Sequence, residues 1–309
     1  MKSTRDGFGD QLLLQGGIDD KIISLSADLG KATKLDLFAK QYPDRFFEIG
    51  IAENNMIGIA SGLSEHGYKV FLASFAVFLT GKYDTIRCSI AYPNIPCVIV
   101  GSHGGLAIGR DGVTQMGLED ISLMRSLPNM VILNPATYNE ARAITKYLCE
   151  TKLESPHYLR IGRQPVDEVF DDSYRFNINS VCIVKGSANM DSVVLSTGCV
   201  LSDVLKATEG IDITVMDIPV IKPICWDVIS YILSYKNVIT VEDHSIIGGL
   251  GSAVAEIMAE NGWREGLNLN RIGINDIFPE SGKPEDLYEK YGLSSKQISI
   301  RIQNIINND

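Results

Sequence analysis

The sequence has little of what marks membrane, secreted or metal-bound proteins. No apolar run approaches the roughly 20 residues of a membrane helix, and the N-terminal stretch MKSTRDGFGDQ has no apolar segment of the kind that a signal peptide needs. The six cysteines among 309 residues are scattered, without a C-x-x-C pair. This spacing argues against a disulfide framework and against a zinc site. We therefore expect reduced thiols, no metal ligands and a cytoplasmic protein without a membrane partner.

Positive charge is also in the minority. The chain carries 28 Lys and Arg against 38 Asp and Glu, a formal net charge of −10. This balance provides no general basic surface for a polyanion, so we expect no nucleic-acid partner. An anionic small substrate is still compatible with it, because a few local arginines and histidines can hold one.

The dominant pattern that is present alternates short apolar runs with longer helix-like segments. The predicted strands are KIISLSA, KVFLAS, IPCVIVG, MVILNPA and HYLRIG in the first half, and CIVKG, SVVLSTG, ITVMDIP, NVITVED and LNRIGI in the second. Each run is continuously apolar, which is typical of strands covered on both faces. The segments 52–67, 137–150 and 248–262 have helical spacing. The sequence therefore predicts α/β architecture with mostly parallel sheets.

A polar segment without periodicity divides the chain into two halves. Residues 164–180, QPVDEVFDDSYRFNINS, contain a proline and several acidic residues, as is usual for a connection between domains. The length also suits two domains. We predict a first domain over 1–168, a linker over 169–183 and a second domain over 184–309.

The first cluster with chemical potential is EIGIAENNM. Glu48 lies at the end of a predicted strand, and Glu53 opens the following helix. Ligands of open α/β sheets lie at the carboxyl ends of the strands, so a carboxylate there is well placed to act on one. Alternatively, Glu53 only complements the positive end of the helix dipole.

The second and third clusters are glycine-rich loops. SHGGLAIGRDGVTQMGLED follows the strand IPCVIVG, and VEDHSIIGGLGSAVAE follows NVITV. Glycine permits positive φ and close approach of the backbone to a ligand. Neither loop is a P-loop or a G-x-G-x-x-G motif. In the first of these loops, His103 and Asp111 favour a ligand role, and a surface loop without a ligand is the alternative. In the second loop, the glycines are equally compatible with close packing of the helix on the strand.

Taken together, these segments resemble transketolase-type, thiamine-diphosphate enzymes. RFFEIGIAENNMIGIASGL is similar to the segment that carries the catalytic glutamate of that family. SADLG, the SF-x-x-F run, RDGVTQ, LMRSLPNMVILNPA and LRIGRQ are similar to that family in the same order along the chain. EDHSIIGGLGSAV resembles the C-terminal domain of the same superfamily. The resemblance implies two consecutive three-layer α/β domains with mostly parallel sheets: a pyrimidine-binding fold and a transketolase C-terminal fold.

One part of the family pattern is missing. The G-D-G…N signature, which supplies the magnesium ligands in the domain that binds the cofactor diphosphate, does not occur in this sequence. The resemblance therefore implies a separate N-terminal transketolase-like subunit that carries this motif and the Mg²⁺ ligands. Because active sites of this superfamily form between subunits, we expect an α2β2 heterotetramer.

The resemblance also implies roles for individual residues near the cofactor. Glu53 occupies the position of the catalytic glutamate, which hydrogen-bonds N1′ of the aminopyrimidine and favours proton exchange at the cofactor. Phe75 and Phe78 match the aromatic residues that pack on the pyrimidine ring. Without the family match, ordinary core phenylalanines would be the simpler interpretation.

Further matches concern the substrate. Arg5, His103 and Arg163 match residues that hold the sugar-phosphate terminus, for which the planar guanidinium fork is suited. Asp111 matches the residue that contacts a hydroxyl of the donor, and Asp28 is a weaker candidate. The alternatives are surface arginines, a loop histidine that is merely hydrogen-bonded, an ion pair of Arg163 with the nearby Asp167 or Glu168, and a turn-forming aspartate.

The clearest departure from the family is Gln115. Transketolases usually read D-G-x-T-H-Q, whereas this chain has Gln115 at the position of the histidine. Glutamine donates and accepts hydrogen bonds but does not titrate near neutral pH. Acid–base assistance at this position is therefore lost, which argues for a specialised donor.

The sequence thus predicts the C-terminal component of a two-subunit, thiamine-diphosphate-dependent transketolase-like enzyme. It would transfer a two-carbon ketol unit between sugars that are phosphorylated or otherwise modified. A β subunit of a 2-oxo-acid dehydrogenase has the same two domains and is the nearest enzyme alternative, with a 1-deoxyxylulose-phosphate synthase fragment behind it. A non-catalytic scaffold partner is the alternative from another class, and Gln115 is its only support.

Overall fold

The computed structural model describes residues 1–180, 182–187, 191–261 and 266–307. Within these ranges, none of the helices is long and apolar enough to span a membrane. The described residues form two α/β units, each built around a mostly parallel sheet.

The first unit consists of alternating helices and strands. They are α1 (Thr4–Gly16), β1 (Ile22–Ser26), α2 (Asp36–Gln41), β2 (Phe46–Glu48), α3 (Glu53–Glu65), β3 (Lys69–Phe75), α4 (Ala76–Thr80), α5 (Tyr83–Ile86), β4 (Val98–Ser102), α6 (Asp120–Ser126), β5 (Val131–Leu133), α7 (Tyr138–Glu150) and β6 (His157–Ile161). Single turns of tighter or wider helix lie at Pro43–Arg45, Arg87–Ala91, Leu106–Asp111 and Val113–Gln115. The five strands predicted in this half are confirmed.

The second unit repeats the alternation. It contains β7 (Cys182–Lys185), β8 (Ser192–Thr197), α8 (Leu201–Ala207), β9 (Thr214–Asp217), β10 (Val220–Lys222), α9 (Trp226–Ser234), β11 (Asn237–Ser245), α10 (Leu250–Asn261), β12 (Asn268–Ile274), α11 (Pro284–Tyr291) and α12 (Ser295–Asn307). The described strands of its sheet lie in the order β12-β11-β8-β9-β7, and β7 is antiparallel to its neighbour. The predicted strands of this half are confirmed as well, while Gly262, the end of the third predicted helix, lies outside the described residues.

The first sheet has the order β10-β5-β6-β4-β3-β1-β2 over the described residues. Successive side chains along its parallel strands pack into different apolar clusters: Ile23 and Leu25 belong to one cluster, and Ile22 belongs to another. Both faces of these strands are therefore covered. In the second sheet Val194 and its neighbour Val193 are divided in the same way. Helices on both faces of each sheet give three layers, as the continuously apolar strands predict.

One strand connects the two units. β10 comes from the second half of the chain, yet it pairs antiparallel with β5 at the edge of the first sheet. Pro219 separates it from β9, which belongs to the second sheet. Because β10 pairs with β5, which would otherwise be an edge strand, a strand from the second half of the chain forms part of the first sheet. The two units are therefore joined by strand pairing as well as by side-chain contacts. The predicted division into two domains did not include this exchange.

The connection between the units is irregular, as its composition predicts. Residues 164–180 form no helix or strand, apart from a single bridge between Val166 and Lys2. The next strand, β7, begins at Cys182, two residues before the predicted start of the second domain. Apolar residues of this segment, Phe170 and Phe176 among them, pack against the cores of the units.

Candidate functional site

Glu53 is the first residue of α3, at the carboxyl edge of the first sheet. The helix forms because Met56, Ile57 and Ala60 share one buried face, and it ends before Gly67, which has a φ of +84°. The Glu53 side chain is only 7% exposed, and its Oε1 accepts a hydrogen bond of 3.2 Å from the Ser74 hydroxyl on β3. Its Oε2 accepts no hydrogen bond from any residue that the structure describes. One carboxylate oxygen is therefore fixed, and the other is available to a ligand.

Two phenylalanines and a histidine line up beside this edge. Phe75 ends β3 and Phe78 lies in α4, and their rings stack at 5.4 Å between centroids and 18° between planes. The ring of His103 packs on Phe75 with a centroid distance of 4.0 Å. Both phenylalanines are only half-buried. They therefore form an aromatic wall with accessible surface, and Phe75 also packs against the apolar core of the second unit.

Arg5 and His103 are brought together from distant parts of the chain. The guanidinium Nη1 of Arg5 donates to the carbonyl of Ala32 at 2.9 Å and lies 3.4 Å from Nε2 of His103. Nδ1 of the imidazole lies 2.7 Å from the Ser102 hydroxyl. Burial, assisted by the positive charges of Arg5 and Arg163, lowers the pKa of His103 to about 3. The imidazole is therefore neutral near pH 7.

Arg163 forms an ion pair with Asp111. The distance between Nη1 and Oδ2 is 3.2 Å, and both side chains are about half exposed. The same nitrogen lies 3.4 Å from the carbonyl of Ile108. The other two candidate partners of Arg163 make different contacts. Asp167 forms an ion pair with Lys206, and Glu168 accepts a hydrogen bond from the backbone amide of Asn139.

Asp28 lies at the mouth of a cavity of about 500 Å³. The residues that line this cavity are Arg5, Asp28, Leu29, Lys31, Ala32, Lys34 and Asp36. Asp28 has a φ of +59°, and its amide donates to Glu48 Oε1 at 2.5 Å. The nearby Thr33 is buried and donates its hydroxyl to the carbonyl of Leu29. Its hydroxyl is therefore engaged with the backbone.

Gln115 lies in the glycine-rich loop, on the turn that follows Gly112. The backbone of Gln115 is fixed by a hydrogen bond of 3.0 Å from its amide to the Gly112 carbonyl. The side chain is half-buried and makes no hydrogen bond to any residue within the described ranges. The structure thus fixes its backbone and leaves its amide group for a ligand.

A buried polar network that the sequence pattern did not predict lies between the two units. Asp120 accepts from Tyr158 at 2.7 Å and from Arg160 Nε at 2.9 Å, and Asp243 accepts from the Tyr288 hydroxyl at 2.5 Å. Arg160 also donates to the Asp243 carbonyl at 2.9 Å. The signal that could have revealed it is an arginine inside the apolar run HYLRIG, because a charge in a strand covered on both faces requires a buried partner.

His244 belongs to the same interface. Its side chain is fully buried; Nε2 accepts from the Ser122 amide at 3.4 Å, and Nδ1 lies 2.7 Å from the Ser245 carbonyl. Burial lowers the pKa of His244 to about 4. These contacts attach α6 to β11, so the histidine has a packing role in this structure.

Two further observations define the extent of the site. A larger cavity, about 790 Å³, lies between α1, α7 and residues 171–176, and none of the predicted site residues lines it. Among the residues that the structure describes, no group of three or more His, Cys, Asp or Glu is arranged to hold a metal ion. The chemistry that the structure assembles is therefore that of Glu53, the aromatic wall and the cluster around Arg5 and His103.

Comparison with known proteins identifies the family. The family model described as transketolase, pyrimidine binding domain, matches residues 1–168, and that described as transketolase, C-terminal domain, matches residues 183–298. A putative transketolase C-terminal section of Methanocaldococcus jannaschii is 38% identical over 97% of this chain and 95% of its own length. The 6-deoxy-6-sulfo-D-fructose transketolase subunit SqwH of a Clostridium species is 34% identical over 95% of this chain and 91% of its own length.

Solved structures also show a transketolase fold. A split-gene transketolase, solved as an inactive beta4 tetramer, superposes with a TM-score of 0.88 at 38% identity and covers 98% of both chains. Both predicted elements of the resemblance, the pyrimidine-binding fold and the C-terminal fold, are thereby confirmed. The chain belongs to the transketolase family, as a subunit of the split type that carries the pyrimidine-binding and C-terminal domains.

Proposed function

We propose that this chain is the C-terminal component of a two-subunit, thiamine-diphosphate-dependent enzyme that transfers a two-carbon ketol unit between sugars. The observation that carries the proposal is the buried Glu53 carboxylate, which is fixed through one oxygen by Ser74, the residue directly before the stacked, half-buried Phe75. A carboxylate with one free oxygen next to an aromatic wall suits an aminopyrimidine, which presents both a ring face and a hydrogen-bonding edge.

The residues of this chain would hold the pyrimidine end of the cofactor. Glu53 would accept the hydrogen bond of N1′, with Ser74 restricting rotation of the carboxylate, and Phe75 and Phe78 would support the ring. When bound, thiamine diphosphate supplies the carbanion chemistry of its thiazolium ring. The protein contributes position, a low-polarity environment and a carboxylate placed for proton exchange.

The substrate end of the site suits an anionic sugar. Arg5 and His103 lie together, and Arg163 is near enough for its charge to depress the pKa of that histidine. A phosphate or another oxyanion on the sugar would supply the negative charge that these groups lack. Asp111 and Asp28 would accept hydrogen bonds from sugar hydroxyls, as exposed carboxylates at the edges of the same region.

Gln115 would select the donor. Its amide would hydrogen-bond the reacting end of the sugar without exchanging a proton. The relative described as a 6-deoxy-6-sulfo-D-fructose transketolase subunit supports a modified, anionic ketose as the class of donor.

The diphosphate and Mg²⁺ would be bound by a separate N-terminal subunit with the G-D-G…N motif, in an α2β2 assembly. Support comes from relatives of nearly equal length that are described as a transketolase C-terminal section and as a split-gene transketolase. The Mg²⁺ ligands would then belong to the partner.

Reconstitution tests this function. The chain is mixed with the N-terminal subunit encoded in the same genome, thiamine diphosphate and Mg²⁺, and ketose phosphates or sulfonated ketoses are supplied with an aldose acceptor. We expect formation of a ketose that has two carbons more than the aldose acceptor. Release of carbon dioxide from a branched-chain 2-oxo acid without ketol transfer would support a dehydrogenase β subunit, and failure of the mixture to bind thiamine diphosphate would support a scaffold; either result contradicts the proposal.

A further inference from the structure

The glycine-rich loop of residues 103–119, which carries three of the predicted substrate residues, is held by the second unit of the chain. Both carboxylate oxygens of Asp243 on β11 face the amide of Leu106, at 3.0 and 3.3 Å. The Tyr288 hydroxyl on α11 donates to Oδ2 of the same carboxylate at 2.5 Å. All three groups are buried. The start of the loop is thus fixed by an acceptor whose own orientation depends on Tyr288.

The loop backbone lies directly against these residues. Gly105 has a φ of +88°, and a Cβ at this position would collide with the Asp243 carboxylate. Farther along, Gly109 faces Pro284 and Gly112 faces Ser281. Three glycines therefore let the loop approach the second unit more closely than side chains would permit.

The end of the loop is fixed to the same region. Arg160 Nη2 donates to the carbonyls of Gly117 and Asp243, at 2.9 Å each, and the Ser245 amide donates to the Leu118 carbonyl at 2.9 Å. The loop is therefore attached at both ends to the carboxyl end of β11.

The loop has little intrinsic preference for this shape. His103 adopts a φ of +63°, a conformation that side chains with a Cβ disfavour, and Gly105, Gly109 and Gly112 are also at positive φ. Such a backbone remains in place only where surrounding contacts determine it. Of the carboxylates outside the loop, only that of Asp243 accepts a hydrogen bond from the loop backbone within the described residues. Inside the loop, Glu119 accepts from the Leu118 amide at 3.3 Å.

We propose that Asp243, oriented by Tyr288, is a positioning residue that holds loop 103–119 in the shape in which its substrate residues meet the sugar. The C-terminal domain would then determine substrate affinity from behind the site, without contact with the substrate. The part that concerns the sugar rests on the proposed function, whereas the attachment of the loop does not.

Hydrogen–deuterium exchange of the full chain tests the attachment. Asp243→Ala removes the acceptor, and Tyr288→Phe removes only the hydroxyl that orients it. We expect amides of 103–119 to exchange about three- to tenfold faster in both variants. Asp243→Asn should retain most of the protection, because its amide oxygen can still accept from Leu106. Tyr291→Phe is the matched control, since this tyrosine lies on the same helix but its hydroxyl contacts Glu280.

Two exchange results would overturn the attachment: unchanged exchange of the loop in both Asp243→Ala and Tyr288→Phe, or faster exchange spread equally over the strands of both sheets. If Asp243→Ala fails to fold, Tyr288→Phe decides alone. These measurements need neither cofactor nor turnover, so they are decided separately from the proposed function.

Kinetics of the reconstituted enzyme test the consequence for the substrate. Tyr288→Phe should raise KM for the sugar about three- to tenfold and lower kcat less than threefold, because the displaced residues bind the substrate and Glu53 is unchanged. Tyr291→Phe should leave both constants as in the wild type. Faster loop exchange with an unaltered KM would overturn the claim that the position of the loop determines substrate affinity.

Discussion

His103 is the most constrained of the predicted substrate residues. It has a φ of +63°, its ring packs on Phe75, and both ring nitrogens lie near polar groups of Ser102 and Arg5. Burial is the main cause of its low pKa, and the guanidinium charges add to it. At neutral pH this histidine is therefore a neutral hydrogen-bonding group and contributes no positive charge.

This assignment predicts an absent titration. Because the pKa of His103 is lowered to about 3, its Cε1–H resonance should stay constant from pH 8 down to about pH 5. Nuclear magnetic resonance of the chain with labelled histidine measures this, and His103→Asn identifies the signal. A titration with a midpoint above pH 6 would contradict the assignment.

The low pKa of His103 also affects stability. Because the pKa is lower in the folded state than in the unfolded state, protonation favours the unfolded state. The folded state therefore loses stability from this group as the pH falls below the ordinary histidine pKa of about 6.5.

At this scale the sequence predicted some groups and missed others for a physical reason. Glu53 and the two phenylalanines each belong to a short motif that is visible in the sequence, and the structure places both motifs at one edge of the sheet, although their roles remain predictions. Asp243 and Leu106 are 137 residues apart, and the pattern near either residue gives no indication of the other. Pairings of this kind are decided by how the two units pack.

Among the elements, the glycine-rich loop allows a test of close approach. Gly105 and Gly67 have nearly the same φ, +88° and +84°. A Cβ on Gly105 would collide with Asp243, whereas a Cβ on Gly67 would meet nothing within 4 Å. The two positions therefore share a positive φ. Gly105 in addition has a ψ of −171°, a combination that is essentially restricted to glycine, and lacks space for a Cβ.

Alanine substitution should show the difference between the two positions. Gly67→Ala should cost about 1 kcal/mol of backbone strain, and Gly105→Ala should cost about 1–3 kcal/mol more, because its φ and ψ together disfavour a Cβ and the loop must move away from Asp243. Thermal unfolding of the two variants measures the difference as several degrees in Tm. Equal losses of Tm would contradict this difference.

The secondary structure was predictable where elements are long and apolar. The ten predicted strands appear because each buried run is continuous, as both-sided burial requires. β10 was not identified, since it has only three residues and follows β9 after only Ile218 and Pro219. Of β2, which also has three residues, only the end at Glu48 was predicted. α1 was missed because its buried face includes glycines and glutamines that carry no apolar periodicity.

For the whole molecule, a buried pair of carboxyl groups links the two units. Glu140 on α7 accepts from the Tyr174 hydroxyl at 3.0 Å and from the Ala136 amide at 2.7 Å, and Asp217 at the end of β9 lies beside it. Burial, followed by the negative charge of Glu140, raises the pKa of Asp217 well above its usual range. We expect the pair to retain a proton in the folded protein at neutral pH.

This arrangement predicts a pH dependence of stability. A carboxyl whose pKa is raised on folding stabilises the protein at low pH, and the stabilisation is lost as the pH rises toward the folded-state pKa. Asp217→Asn imitates the protonated form. At pH 8.5 it should raise Tm by about 2–4 °C for each kcal/mol that it adds to the free energy of unfolding, and it should raise Tm by less at pH 5. Thermal unfolding at both pH values is the measurement, with the exposed Asp44→Asn as control. The same pH dependence of Tm in Asp217→Asn and wild type would refute the shared proton.

The central claim concerns the molecule as half of an enzyme, in which Glu53 acts on a cofactor that a partner also holds. The most direct measurement is ketol transfer by the chain reconstituted with its N-terminal subunit, comparing wild type, Glu53→Gln and Glu65→Gln. Glu65 lies exposed at the other end of α3, so it controls for the loss of a carboxylate from the same helix. We predict that Glu53→Gln lowers kcat at least about 10³-fold, with an unchanged Tm and assembly, and that Glu65→Gln retains wild-type activity. Near-wild-type turnover by Glu53→Gln would contradict the account.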